Sequence, residues 1–180
     1  MENKYLKDRI NIPDREANSW DLISFSTVCK ENLKAKISEK EIIESYIHSI
    51  ECLFNAFELE KNVAPGLIAL RTNQVLFPLL YSCRHSIEVS LKYYLNEMSF
   101  QKVSGHKIFK LFSNIPEKNR KEFKKYEELI ISIDLLDGDG CKFRYSKDNK
   151  GNKYNNSPQF INTELVARDT IEFCKKIINL

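Results

Sequence analysis

The stretch Phe77-Pro78-Leu79-Leu80-Tyr81-Ser82-Cys83-Arg84-His85-Ser86-Ile87-Glu88-Val89-Ser90-Leu91-Lys92 decides the fold. At about 100° per residue on a helix, Leu76, Leu79, Leu80, Cys83, Ile87, Leu91 and Tyr94 gather on one face, and Phe77 and Leu95 widen it. Such a face predicts a central core helix within Leu67 to Glu97. Pro78 predicts a kink in it, because the ring removes one backbone donor and crowds the preceding turn. Along the edge of the apolar face stand Arg84, Glu88 and Lys92, four residues apart, with Tyr81 and His85 beside them. Two readings fit this stripe. Glu88 can form two i,i+4 ion pairs, each contributing about 0.2–0.5 kcal/mol to the helix. Alternatively, Arg84 and His85 face a cleft, where a guanidinium neutralises phosphate and an imidazole exchanges a proton near neutral pH.

Toward the N-terminus, Ser38-Glu39-Lys40-Glu41 has the form of a capping box, and Ile42, Ile43, Tyr46, Ile47, Ile50, Leu53, Phe54 and Phe57 follow at helical spacing. A helix is expected from about Glu39 to Glu60. Residues 1–37 carry weaker patterning around Pro13, Trp20 and the apolar Leu22, Ile23, Phe25 and Val28, and predict an irregular arm that docks on the core. Pro65-Gly66 separates the first two helices.

Toward the C-terminus, Ile108, Leu111 and Phe112 mark a short amphipathic helix closed at Pro116. Phe123, Tyr126, Leu129, Ile130 and Ile133 mark another over Glu117 to Leu136, and Leu165 to Ile178 a last one from about Thr163. The intervening 137–158 is rich in Asp, Gly, Asn and Lys and predicts a loop or small β-hairpin insertion. The fold class is therefore all-α, an up-and-down helical bundle around a long kinked central helix, and 180 residues suit one domain.

Composition narrows the functional classes. With 28 basic and 25 acidic residues the net charge is +3, too small to name nucleic acid or membrane as a partner by long-range attraction alone. The basic run Lys118 to Lys125 is interleaved with Glu117, Glu122, Glu127 and Glu128 and reads as a solvated helix face. Five cysteines without a CxxC pair read as free thiols in a reducing compartment, with Cys52, Cys83 and Cys174 expected to be buried. The polar N-terminus lacks a secretory h-region, and no apolar run approaches the roughly 20 residues of a membrane span. A cytoplasmic location follows, without membrane association.

Three histidines, His48, His85 and His106, lack zinc-ligand spacing, and Lys142 falls where a calcium loop begun at Asp137 would need glycine. No metal and no cofactor is expected. Phosphate-cradling loops, nucleophile elbows and dinucleotide fingerprints are absent from the sequence. His48 reads as a packed helix residue. His106, after Gly105, reads either as a cap or surface residue or as a partner to His85 across one cleft.

The central stretch resembles the corresponding helix of HEPN-like bacterial proteins, and Gly105-His106-Lys107-Ile108, Asp134 to Asp137, Phe143-Arg144-Tyr145 and Asp148 to Gly151 fit the same resemblance in order. The resemblance implies a helical bundle, homodimerisation, and roles in toxin, antiviral or RNA-processing systems. In active relatives an Arg-x4-6-His motif at a dimer cleft works as a metal-independent ribonuclease. This chain departs from that motif. No histidine has an arginine five to seven residues upstream, and Arg84 and His85 are adjacent. A noncanonical catalytic set of Arg84, His85, His106 and Arg144 is therefore expected, with Glu88, Lys92, Tyr145 and Asp148 binding RNA or a nucleotide. The competing expectation is a non-catalytic scaffold that dimerises or binds a partner protein through its aromatic arm.

Overall fold

The computed structural model describes residues 38–63, 68–98, 104–145, 147, 150–151 and 161–180. Six α-helices occur among them, α1 (Glu39–Val63), α2 (Ile68–Glu97), α3 (Ile108–Ser113), α4 (Glu117–Arg120), α5 (Glu127–Leu136) and α6 (Thr163–Ile178). A 3-10 segment over Lys121–Tyr126 lies between α4 and α5, so the single helix expected over Glu117 to Leu136 is divided into three consecutive elements. No strand occurs among the described residues, and the chain is all-α. Helix α2 passes through Pro78 as one element, with the proline exposed.

Helix starts follow from local chemistry. The capping box closes at α1, where the Ser38 amide donates to Glu41 Oε2 (2.7 Å) and the Glu41 amide to Ser38 Oγ (3.2 Å). At α6, Asn162 Oδ1 accepts from the Leu165 amide (3.0 Å).

Helices α1, α3 and α6 all pack on α2, and α5 packs on α3 and α6. The seam is Ile43, Ile47 and Ile50 of α1, Leu79, Leu80, Cys83, Ile87, Leu91 and Leu95 of α2, and Val166, Phe173, Cys174 and Ile177 of α6. Tyr94 meets Phe123 edge-on at 5.3 Å, and Phe123 and Tyr126 meet Phe173 at 5.8 and 5.3 Å, tying α2, the 3-10 turn and α6 together. Burial pushes the Cys83 and Cys174 thiols up to about 12 and about 11, which leaves them inert core groups.

The expected burial of residues on α1 and α2 needs correction at three positions. Cys52 is exposed, with its sulfur 3.6 Å from His48 Nε2, because it turns to the solvent side of α1; His48 is likewise exposed. Phe77 keeps 47% of its surface accessible and touches Phe143 at the edge of the core. Of the loop or hairpin expected over 137–158, residues 137–145 form consecutive turns as a loop would, with the Asp137 carboxylate accepting from the amides of Lys142 and Phe143 (2.9 and 3.4 Å). Lys147 makes an isolated bridge. The arm over 1–37 and, within the expected insertion, residues 146, 148–149 (with Asp148) and 152–158 lie outside the described residues.

Candidate functional site

Arg84 is 2% exposed, and its charge is met on every side. Nη1 donates to Glu88 Oε2 (3.0 Å), Nε to the Asp137 carbonyl (2.6 Å), and Nη2 to the carbonyls of His106 (2.5 Å) and Gly138 (3.5 Å). The Asp137 carboxylate lies 3.9 Å from Nε. One guanidinium thus holds the end of α5 and the turn before α3 against α2. Gly140 makes this fit possible. Its φ is +75°, and a Cβ built there would stand 2.7 Å from Arg84 Nη1 and 2.9 Å from Cζ, so a side chain is excluded by backbone conformation and by space.

Glu88, 4% exposed, is the second hub. Besides Arg84 it accepts from Lys92 Nζ (2.7 Å), and His106 Nδ1 lies 2.9 Å from the same Oε1. Burial alone would raise its carboxyl pKa, but Lys92, His106 and Arg84 together hold it below the ordinary carboxylate value. The two i,i+4 pairs expected of the stripe are both present. His106 adds a third contact from outside the helix. Its imidazole is 71% exposed, and with Nδ1–H directed at Glu88 its Nε2 is left to act on a ligand.

A cleft of about 650 Å³ opens over these groups, lined by Arg84, His85, Glu88, His106 and Arg144 and also by Lys107, Lys110, Asn114, Asp139 and Cys141. That volume lies in the range of small-molecule sites, roughly 300–1,000 Å³. His85 sits half-buried between Tyr46, edge-on at 4.8 Å, and Tyr81, stacked at 5.5 Å. Burial lowers its pKa; Glu88 opposes the shift, and Arg84, Lys92 and Arg144 add to it, so the ring favours its neutral form. Arg144 is exposed and held by one strong bond, Nε to the Gly140 carbonyl at 2.8 Å, while its guanidinium lies 5.2 Å from the centres of both Tyr81 and Tyr145.

The four candidate catalytic side chains of the sequence therefore line one cleft, as does Glu88. Lys92 reaches it through Glu88 and Tyr145 through Arg144, and Asp148 lies outside the described residues. Sequence reasoning missed Asp137 as the anchor of the turns, along with Lys107 and Lys110. The available signals were the Asp-Gly-Asp-Gly run, which predicts a tight side-chain-capped turn, and two lysines three apart on a short helix start. Among the described residues no group of three His, Cys, Asp or Glu is placed to hold a metal ion, and no helix is long and apolar enough to cross a membrane.

Compared with known proteins, residues 70–180 match the family model described as HEPN domain, more than half of the chain. The match supports an RNA-associated or nuclease-type function in general terms. No curated protein and no solved structure matches the chain.

Proposed function

The chain belongs to the HEPN domain family, and from that premise we propose that it is an RNA-associated protein of a bacterial stress or defence system that cleaves RNA without a metal ion. The observation that carries this reading is the dyad of exposed His106 and buried Glu88, 2.9 Å apart in a cleft rimmed by cations. A carboxylate on Nδ1 fixes the tautomer and the ring orientation, so Nε2 is presented as the base.

In this mechanism Nε2 of His106 takes the proton of a ribose 2′-hydroxyl as O2′ attacks phosphorus. The O2′–P bond forms and the P–O5′ bond breaks, giving a 2′,3′-cyclic phosphate and a 5′-oxygen that takes its proton from solvent. Arg144, with Lys107 and Lys110, meets the charge on the phosphoryl oxygens. Arg84 and Glu88 act as positioning residues, since both are buried and committed to protein partners. Homodimerisation is carried over from the family, and a cytoplasmic location fits the free thiols.

The test is cleavage of bulk RNA with chelator present. His106→Ala is expected to lower the rate by roughly 10²- to 10⁴-fold, with cyclic phosphate ends in the wild-type products. Equal rates for wild type and His106→Ala would remove the dyad from the mechanism.

One observation favours a second reading, that of a non-catalytic scaffold. Arg84 and Glu88 already have structural work, and Leu135, Phe109 and Ile131 keep 80%, 39% and 36% of their surfaces exposed, as a partner-binding protein would. That reading expects no cleavage under any condition and intact association with a partner protein or a second copy after His106→Ala.

A further inference from the structure

The aromatic rings beside the cleft form a column. Tyr46 meets His85 edge-on at 4.8 Å, His85 stacks on Tyr81 at 5.5 Å with 17° between planes, and the Arg144 guanidinium lies 5.2 Å from the Tyr81 ring and 5.2 Å from the Tyr145 ring. The column starts among half-buried side chains on α1 and α2 and ends on Tyr145, 56% exposed. Its outer end is held from below: the amides of Arg144 and Tyr145 both donate to the Cys141 carbonyl (3.0 and 2.9 Å), and Asp137 pins the preceding turn. Because these bonds already fix the backbone that carries the ring, little backbone freedom remains to be lost on binding, which favours stacking of a planar ligand.

We propose that Tyr145 is the stacking platform for one unpaired base of a single-stranded RNA whose backbone runs into the adjacent cleft, so that the column grows by one member when RNA binds. This rests on reading the cleft as an RNA site and adds the substrate class, single-stranded in preference to duplex. Two features select a nucleic-acid base over an apolar peptide side chain. The Tyr145 ring is itself backed by the Arg144 guanidinium, which suits a polarisable π-face, and Arg144 lines the cleft together with His106, Lys107 and Lys110, which supply charge for the neighbouring phosphates. A duplex keeps its bases stacked on each other and offers no free face.

The experiment uses the full-length protein and a 2′-O-methylated single-stranded oligoadenylate, about ten nucleotides long, carrying one 2-aminopurine. The 2′-O-methyl groups block attack at phosphorus, so binding is read without cleavage. Wild type and Tyr145→Phe are expected to quench the 2-aminopurine, and Tyr145→Ala to lose the quenching and weaken affinity roughly five- to a hundredfold. Affinity for a duplex of the same sequence is expected to be equal for wild type and Tyr145→Ala. Unchanged quenching by Tyr145→Ala, an equal loss for single strand and duplex, or no binding of the oligomer by wild type each overturns the proposal; unmodified RNA is assayed in parallel for cleavage. Quenching without cleavage leaves the platform standing and removes the ribonuclease reading, and cleavage with unchanged quenching by Tyr145→Ala does the reverse.

Discussion

Arg84 and Arg144 border the same cleft with the same functional group, and their surroundings give them opposite uses. Arg84 rises from the middle of α2, is 2% exposed, and has all three guanidinium nitrogens donating to protein acceptors. Arg144 rises from a turn, is exposed, and bonds strongly to one carbonyl while its plane rests against two tyrosine rings. A buried charge must be matched wherever it points, so it becomes a fastener. A surface charge resting on apolar rings keeps donors for a ligand. The helix supplies the frame of the site, and the turns supply its working rim.

The most severe way to break this contrast is Arg84→Ala. It breaks the buried pair with Glu88 and leaves the Asp137 and His106 carbonyls without their donor, and is expected to cost about 3–5 kcal/mol in urea unfolding. A loss as small as a surface substitution's would mean that Arg84 fastens nothing.

Gly140→Ala comes next, at about 1–3 kcal/mol from the positive φ and the crowding of Arg84. The two substitutions share a contact, so their costs should add to less than the sum, because removing the guanidinium leaves only the backbone strain at 140. Strict additivity would show that the glycine and the arginine do not sense each other.

A third prediction concerns acid. The His85 pKa is lowered from 6.5, so the unfolded chain binds that proton more readily; its contribution to stability is complete above 6.5 and is lost as pH falls through the lower folded value. Glu88, lowered from 4.5, adds a second loss in the same direction below that pH. The melting temperature should therefore drop between about pH 7 and 5, and His85→Phe should flatten the drop while keeping an aromatic ring between Tyr46 and Tyr81. A profile for His85→Phe parallel to wild type would assign the acid loss to other groups.

The smallest effect on stability is expected from Arg144→Ala, at about 0.5–1 kcal/mol for exposed cation–π contacts, accompanied by a clear loss of RNA cleavage. A large destabilisation with unaltered cleavage would invert the assignment of the two arginines.

The features legible in the sequence are those that repeat along one element. The apolar face of α2, the Arg84–Glu88–Lys92 ladder and the Ser38–Glu41 cap follow from spacings of three and four. The fold followed because such spacings dictate which face is buried. What stayed hidden depends on closure of the chain over longer separations. Nothing near His106 in sequence announces that it meets Glu88, and Asp137 reads as an ordinary turn aspartate until Arg84 arrives from 53 residues away. Phe77 and Cys52 depart from the sequence expectation for a related reason: helical angles fix neighbours on one helix, whereas burial is decided by which of its faces the other elements cover.

The reach of Arg84 also orders events during synthesis. The guanidinium emerges from the ribosome 53 residues before the carbonyl of Asp137 that receives it, and 22 before that of His106. Until the first acceptor exists, Glu88 is the arginine's only native partner among these, and the end of α5 joins last. The frame beneath the cleft is therefore complete only when translation has passed the last of these anchors.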